Sequence, residues 1–277
     1  MGTLTGKNIA ILGVGTLGTA LIGGMLKSKT IKPTQITGTV HSAEAIKPTE
    51  DRLGFNSDIK ISIDNVLAVK NAAIVILTVK PQNMASLLEE IAPGLNKSQL
   101  VISVAAACPL KYLEQRLAPE MPVIRAMPNT CVLTGAGMTG LVGGKQVKEE
   151  HKQLAKIIFE SVGKVVFLEE KLFNALTALS ASGPAYLYVV IESLAEAGVK
   201  LGMSRDIATL LVAQTMLGTA KMILETGAHP ALLKDSVTTP AGCTIDGLME
   251  LEEGKLRVTL VKAVVKAAER AQELLNS

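Results

Sequence analysis

In the first half of the chain apolar residues come in short unbroken runs, and in the second half they recur at helical spacing. The runs at residues 7–12 (K-N-I-A-I-L), 35–40, 60–63, 73–79 (A-I-V-I-L-T-V) and 100–104 (L-V-I-S-V) predict strands, the longer ones buried on both faces. Helical segments fall between them at 16–29, 42–53 (interrupted by Pro48), 64–70, 82–91 and 110–117. Strands alternating with helices predict an α/β domain built on a doubly wound parallel sheet, with ligands at the carboxyl ends of the strands. Those ends carry Gly13 to Gly18, His41, Lys80 with Pro81, and Ala105 with Ala106. Beyond about Lys164 the pattern changes to long amphipathic helices, expected at 171–179, 184–201, 205–225 and 255–275. Gly227, the pair Thr239-Pro240 and Gly254 break them, so the second part reads as all-α.

Residues 9–26 carry no charged side chain, which raises the question of a membrane anchor or a secretory signal. The glycines argue otherwise. Gly13, Gly15, Gly18, Gly23 and Gly24 would each cost a helix up to about 1 kcal/mol, and the first three have the spacing G-x-G-x-x-G. The stretch therefore reads as strand, tight turn and helix. Backbone N–H groups at the helix start, around Gly13, Gly15, Thr16, Leu17 and Gly18, would hold the pyrophosphate of a dinucleotide.

In such sites an Asp or Glu about 20 residues further on commonly holds the ribose 2′-hydroxyl of NAD. Here the second strand runs into Gly38-Thr39-Val40-His41-Ser42, and the first acid is Glu44, already inside the expected helix. That favours NADPH, with NADH as the alternative; Ser42 and His41 would meet the 2′-phosphate, with Lys47 as a counter-charge. His41 reads equally as a solvated turn residue. His151 and His229 lie in polar helix-start contexts and read as structural.

Composition narrows the classes further. The 277 residues are 48% hydrophobic but 3% aromatic with no Trp, so the core is aliphatic. The 28 Lys and Arg against 25 Asp and Glu give a charge of +3 without a basic run, and no nucleic-acid partner is expected. Cys108, Cys131 and Cys243 are odd in number, widely spaced and lack C-x-x-C, so neither a disulfide framework nor a metal site is expected. They suit a reducing, cytoplasmic compartment.

At R-A-M-P-N-T (125–130), S-G-P-A-Y (182–186) and V-T-T-P-A-G-C-T (237–244) the chain resembles the pyrroline-5-carboxylate reductase family. T-V-K-P-Q (78–82), A-E-A-G-V-K-L-G-M (195–203) and the segment from L-M-E-L-E-E-G-K-L-R onward fit the same family in the same order, so the resemblance covers essentially the whole chain. It implies reduction of the cyclic imine 1-pyrroline-5-carboxylate to L-proline, the last step of proline biosynthesis. It also implies a Rossmann-type dinucleotide-binding domain (1–167), a helical substrate and dimerisation domain (168–277), and a homodimer that in this family often builds larger rings.

Carried over by position, the resemblance adds Asn65, Val79, Lys80, Pro81 and Ala105 to the cofactor site. It places the substrate on Ser182, Gly183 and Pro184 and on a loop with Thr239, Gly242, Cys243 and Thr244. Three departures stand out. Ala181 occurs where the family commonly has Gly, Cys131 where it has Pro, and Ala241 where it has the first Gly of S-P-G-G-x-T.

The residue types suit the chemistry. An imine is protonated near neutrality, so hydride addition needs orientation more than a strong acid, and the lack of paired carboxylates or a Ser/His/Asp set is no objection. Thr244 is the expected catalytic hydroxyl at the ring nitrogen; its plain reading is a helix N-cap. Arg125 reads as a carboxylate clamp or a structural salt bridge, Lys80 as a shaper of the cofactor loop, and neither as catalytic. Two rivals remain. A 3-hydroxyisobutyrate-type dehydrogenase would use Lys171 with Asn174 but lacks the glycine-rich lead-in; a non-catalytic NADP sensor would not need the substrate loop.

Overall fold

The apolar runs form strands because they are buried from both sides. In chain order these are β1 (Ile9–Leu12), β2 (Ile36–Thr39), β3 (Lys60–Ser62), β4 (Ile74–Leu77), β5 (Leu100–Ser103), β6 (Val123–Pro128), β7 (Gly137–Gly143) and β8 (Gly163–Phe167). They join in one sheet of order β3-β2-β1-β4-β5-β6-β7-β8. Every residue of β1, β4 and β5 is buried. Alternate side chains serve two cores, with Ile9, Ile11, Ile74 and Ile76 in one and Ala10, Leu12, Val75 and Leu77 in the other.

The expectation of a parallel sheet holds for β1 to β6 and fails beyond. β7 runs antiparallel to β6, and β8 follows β7, so both reverse the direction of the first six. The reason lies in the connection. Between β6 and β7 the chain makes only a 3-10 turn, Thr130–Thr134, closed by Gly135 at φ +74°, and so short a link cannot carry a parallel crossover. Both strands are absent from the sequence-based expectation.

This computed structural model describes residues 4–54 and 58–276, which fall into two units. The first comprises 4–181 with 268–276. Its helices are α1 (Thr16–Lys27), α2 (Ile46–Arg52), α3 (Asn65–Lys70), α4 (Met84–Ile91), α5 (Leu110–Glu114), α6 (Glu149–Glu160) and α7 (Phe173–Leu176). Pro48 does not interrupt α2. It stands in the first turn, where its missing N–H is unneeded, and residues 43–45 form a separate 3-10 turn. The single helix expected at 171–179 is instead a 3-10 turn (Glu170–Leu172), α7, and a π turn (Thr177–Ala181).

The second unit, 182–267, is all helical: α8 (Gly183–Lys200), α9 (Arg205–Thr226), α10 (Pro230–Ser236), α11 (Cys243–Glu253) and the first part of α12 (Leu256–Asn276). α8 and α9 pack together through small residues: Ala195 and Ala208 are buried, and a Cβ on Gly198 would stand 2.9 Å from that of Ala208. Little else in these helices is covered within the chain, and Leu187, Tyr188, Val189, Leu210, Leu211 and Leu217 are exposed. α9 is long and apolar enough to cross a membrane, though it is almost wholly unburied within the chain.

Candidate active site

The glycine turn is fixed by its neighbours. Gly13 has φ +90°, and a Cβ there would stand 2.7 Å from Val79 Cγ1. The N–H groups of Gly13 and Val14 both donate to the Thr39 carbonyl, at 3.1 and 2.8 Å. Thr78 Oγ1 lies 2.9 and 2.8 Å from the carbonyls of Leu12 and Gly13. The carboxyl ends of β1, β2 and β4 are thereby tied to one point. Gly15 differs: it is exposed, and an added Cβ would meet only the Gly13 carbonyl at 3.9 Å. It caps α1 without a side-chain hydrogen bond, which leaves the N–H groups of the first turn, at Thr16, Leu17 and Gly18, open to an anion. Gly18 itself is buried, with Ile11 Cγ2 and Thr78 Oγ1 at 3.4 Å from an added Cβ. These residues fit a dinucleotide pyrophosphate.

The exit of β2 carries His41, exposed, and Ser42, half-buried. Glu44 follows in the 3-10 turn. Its carboxylate is held below the usual range by its own backbone amide first, then by the Ser42 hydroxyl beside it, and more weakly by His41. The acid discounted in the sequence thus stands next to the residue expected at the 2′-phosphate. Lys47 forms an ion pair with Asp51 along α2 at 3.2 Å. Arg52, unnoticed in the sequence, donates to the Val14 carbonyl at 3.3 Å and to Thr49 at 2.8 Å.

Asn65 opens α3, next to the N-cap Asp64, whose carboxylate accepts from Leu67 N–H at 2.8 Å. Its amide is engaged on both sides: Thr39 Oγ1 donates to Oδ1 at 2.6 Å, and Nδ2 donates to the Glu90 carboxylate at 3.0 and 3.2 Å. Val79 packs on Gly13; Lys80 is exposed and leads into Pro81, which starts a 3-10 turn. Ala105, just beyond β5, is buried. A cavity of about 530 Å³ between β2, β3 and α3 reaches to Asn8 and Asn71, and the glycine turn is not part of its lining.

Arg125 is structural. It is buried, its Nη1 meets Glu170 Oε1 at 3.3 Å, and its guanidinium lies 4.3 Å over the Phe173 ring. The same Glu170 oxygen accepts from Leu110 N–H at 2.7 Å, so one carboxylate ties the start of α5 to β6. Burial lowers the affinity of Arg125 for its proton, and Glu170 opposes that. Lys171 is exposed and pairs with Glu169 at 2.6 Å, while Asn174 bonds Gln272; neither is arranged as a catalytic pair.

In the helical unit, Ser182 precedes α8, Gly183 and Pro184 form its first turn, and no side chain caps it. The loop before α11 makes a tight turn in which Gly242 N–H donates to the Thr239 carbonyl at 3.1 Å. Pro240 fixes a negative φ and Ala241 has φ +58°, the pattern of a type II turn. Gly242 is the N-cap of α11, so the plain reading of Thr244 as N-cap is corrected. Thr244 is the second helical residue, half-buried, and among the described residues its hydroxyl forms no hydrogen bond; Cys243 is exposed. Ala241 has its Cβ where glycine carries none, and the open N–H groups of the first turn of α11 begin immediately after it.

Comparison with known proteins agrees with this arrangement over nearly the whole chain. The family described as pyrroline-5-carboxylate reductase dimerisation matches residues 170–274, and that described as NADP oxidoreductase, coenzyme F420-dependent, matches 8–107. Pyrroline-5-carboxylate reductases of Methanosarcina acetivorans and Escherichia coli are 40% and 36% identical, covering 97% and 98% of this chain and 98% and 99% of theirs. The solved structure of a pyrroline-5-carboxylate reductase from Coxiella burnetii is 35% identical with a TM-score of 0.90, covering 97% of this chain and 98% of that one. That of the Plasmodium falciparum enzyme, with NADP bound, is 31% identical with a TM-score of 0.85, covering 97% and 98%. With a relative 40% identical along 97% of its length and the dimerisation family matched over residues 170–274, the chain belongs to the pyrroline-5-carboxylate reductase family.

Proposed function

We propose that the chain reduces the ring C=N of 1-pyrroline-5-carboxylate, giving L-proline, with NAD(P)H. The observation that carries this reading is family membership along the full chain, together with an α1 whose N-cap, Gly15, leaves the first N–H groups without a side-chain cap. When bound, NAD(P)H supplies the hydride. The chain's part is to hold the pyrophosphate on Gly13, Gly15, Thr16, Leu17 and Gly18, and the adenosine end on His41, Ser42 and Asn65. Val79, Lys80, Pro81 and Ala105 line the remainder. For the substrate, the loop of Thr239, Gly242 and Cys243, with Ser182, Gly183 and Pro184, offers helix N-termini to the carboxylate.

Thr244 is the side chain assigned to the ring nitrogen, which is protonated before hydride arrives and becomes an amine afterwards. Among the described residues its hydroxyl has no hydrogen-bond partner to give up. No strong acid is required, because orientation of the imine carbon at about 3–3.5 Å from the hydride donor supplies most of the acceleration. The matched dimerisation segment and the exposed apolar α8 and α9 support a homo-oligomer, which we read as a cytoplasmic homodimer able to build a larger ring. In this reading α9 is an interface helix rather than a membrane span. Oxidation of NADPH with pyrroline-5-carboxylate, the six-membered ring imine and unsubstituted pyrroline, measured side by side, tests the reaction: turnover of the first alone or best is expected, and turnover of none rejects it.

A further inference from the structure

We infer that Glu90 is a positioning residue for the cofactor, setting which way the Asn65 amide faces. The inference rests on the reading that Asn65 contacts the adenosine end. The geometry is a chain of three side chains: Thr39 Oγ1 lies 2.6 Å from Asn65 Oδ1, and Asn65 Nδ2 lies 3.0 and 3.2 Å from the two Glu90 oxygens. The two ends of that chain are not equivalent. A threonine hydroxyl donates or accepts as its neighbour demands, so Thr39 tolerates either orientation of the amide. An ionised carboxylate accepts and never donates, so Glu90 tolerates one alone, with Nδ2 toward it. Thr39 is 1% exposed and anchored at the end of β2, which fixes where the amide sits. Glu90, near the end of α4, fixes its sense.

That sense matters for one cofactor more than the other. Nδ2 carries two hydrogens; the two oxygens of one carboxylate, at 3.0 and 3.2 Å, sit close enough together to share one of them, which leaves the second as a donor. A ribose 2′-phosphate accepts only and needs that donor. A ribose 2′-hydroxyl both donates and accepts, so it bonds the amide in either orientation. Loss of the carboxylate should therefore weaken NADPH and spare NADH. Simple charge repulsion predicts the reverse, since removing a negative group near a phosphate would tighten NADPH. The direction of the change separates the two.

The test is titration of Glu90→Gln with NADPH and with NADH, read by cofactor fluorescence, beside Asn65→Ala and the double variant. Glutamine keeps the length of the side chain and presents either an oxygen or an amide nitrogen to Asn65. The expected result is an NADPH Kd raised about 3–10-fold, the range one hydrogen bond sets, with the NADH Kd within about twofold. In the Asn65→Ala background the Glu90 substitution should add nothing, because its path is gone. A tighter NADPH Kd in Glu90→Gln overturns the inference, as does an equal effect with and without Asn65. If Asn65→Ala leaves both cofactors unchanged, the assignment of Asn65 falls and this inference with it. Melting temperatures of the three variants show whether any loss is one of folding, and Glu90→Asp, which retains an acceptor-only group, should recover NADPH selectivity in part.

Discussion

Gly13 lies against Val79 so closely that a methyl group on the glycine would stand 2.7 Å from Val79 Cγ1. Its φ of +90° adds a second reason for glycine. Gly13→Ala should lose about 2–4 kcal/mol of stability, combining a left-handed alanine with an overpacked contact. Gly15→Ala should lose less than about 1 kcal/mol, since its added carbon meets only the Gly13 carbonyl at 3.9 Å. It should nevertheless weaken NADPH at least about tenfold, because the space that receives the methyl is where a pyrophosphate would lie. Denaturant melts and cofactor titrations on both variants check this; equal behaviour of the two would remove the distinction.

Glu44 bears on cofactor choice through Ser42. Its carboxylate stands beside Ser42, the residue expected at a 2′-phosphate, so its charge opposes the phosphate and suits a free ribose hydroxyl. Glu44→Gln should raise the ratio of kcat/KM for NADPH over NADH by about 3–10-fold, the reach of one charge in a solvated site. An unchanged ratio would place the adenosine end elsewhere.

The sequence makes β1, β4 and β5 legible because strands buried on both faces are written as apolar runs, and β2 and β3 are weaker echoes of that pattern toward the sheet's edge. β7 and β8 are not legible in that way: Gly137, Gly140 and Gly143 break up the run in β7, and β8 is only partly buried. The glycine turn is visible for the opposite reason, since steric need leaves residue types behind. Glu90 and Thr39 leave no such trace. Their relation to Asn65 joins positions far apart in the chain, and nothing in the local pattern of α4 marks Glu90 from its neighbour Glu89. Glu44 illustrates a different limit, because whether an acid reaches the end of a strand depends on the turn that follows it.

His151 should give the fold a sensitivity to acid. Its Nδ1 accepts from the Lys148 backbone N–H at 3.1 Å, which starts α6 and requires the neutral ring. Burial first, with Lys148 and Lys7, lowers its pKa below the ordinary 6.5, against an opposing contribution from Glu150. A depressed folded-state pKa means stability that is present above 6.5 and lost as pH falls toward the folded value. His151→Gln retains a side-chain oxygen acceptor at the same position and does not titrate. Wild type should therefore lose melting temperature faster than His151→Gln as pH drops from about 7 to about 5. Parallel curves would show that the ring is not the titrating element.

Ala241 occupies a position built for glycine. In the turn closed by Gly242 N–H on the Thr239 carbonyl, the third residue must have positive φ, and Ala241 adopts +58° at the cost its Cβ imposes. Ala241→Gly should stabilise the protein by about 0.5–1 kcal/mol, the relief of strain exceeding the greater freedom of glycine in the unfolded chain. Gly242→Ala should do the opposite, since its Cβ would collide with Thr239 Oγ1. Chemical denaturation of the two variants distinguishes them. A loss of stability in Ala241→Gly would mean that the turn holds no strain.

Thr244 can be separated from its capping alternative more cleanly than the sequence allows. Because Gly242 is the N-cap of α11 and the Thr244 hydroxyl forms no hydrogen bond among the described residues, its removal deprives the helix of no capping bond. Thr244→Ala should then change stability by less than about 0.5 kcal/mol, where loss of a true cap would cost about 1. If the hydroxyl meets the ring nitrogen as its charge disappears, kcat/KM for pyrroline-5-carboxylate should fall about 10–100-fold, or roughly 1.4–2.7 kcal/mol of transition-state stabilisation. NADPH affinity should hardly move. Thr244→Ser keeps the hydroxyl but loses the methyl that restricts its rotamer, so it should recover most of the rate. A Thr244→Ala enzyme that is equally stable and fully active would take the side chain out of the reaction and leave the carboxylate-holding backbone at Gly242 and Cys243 as the part of the loop that works on the substrate.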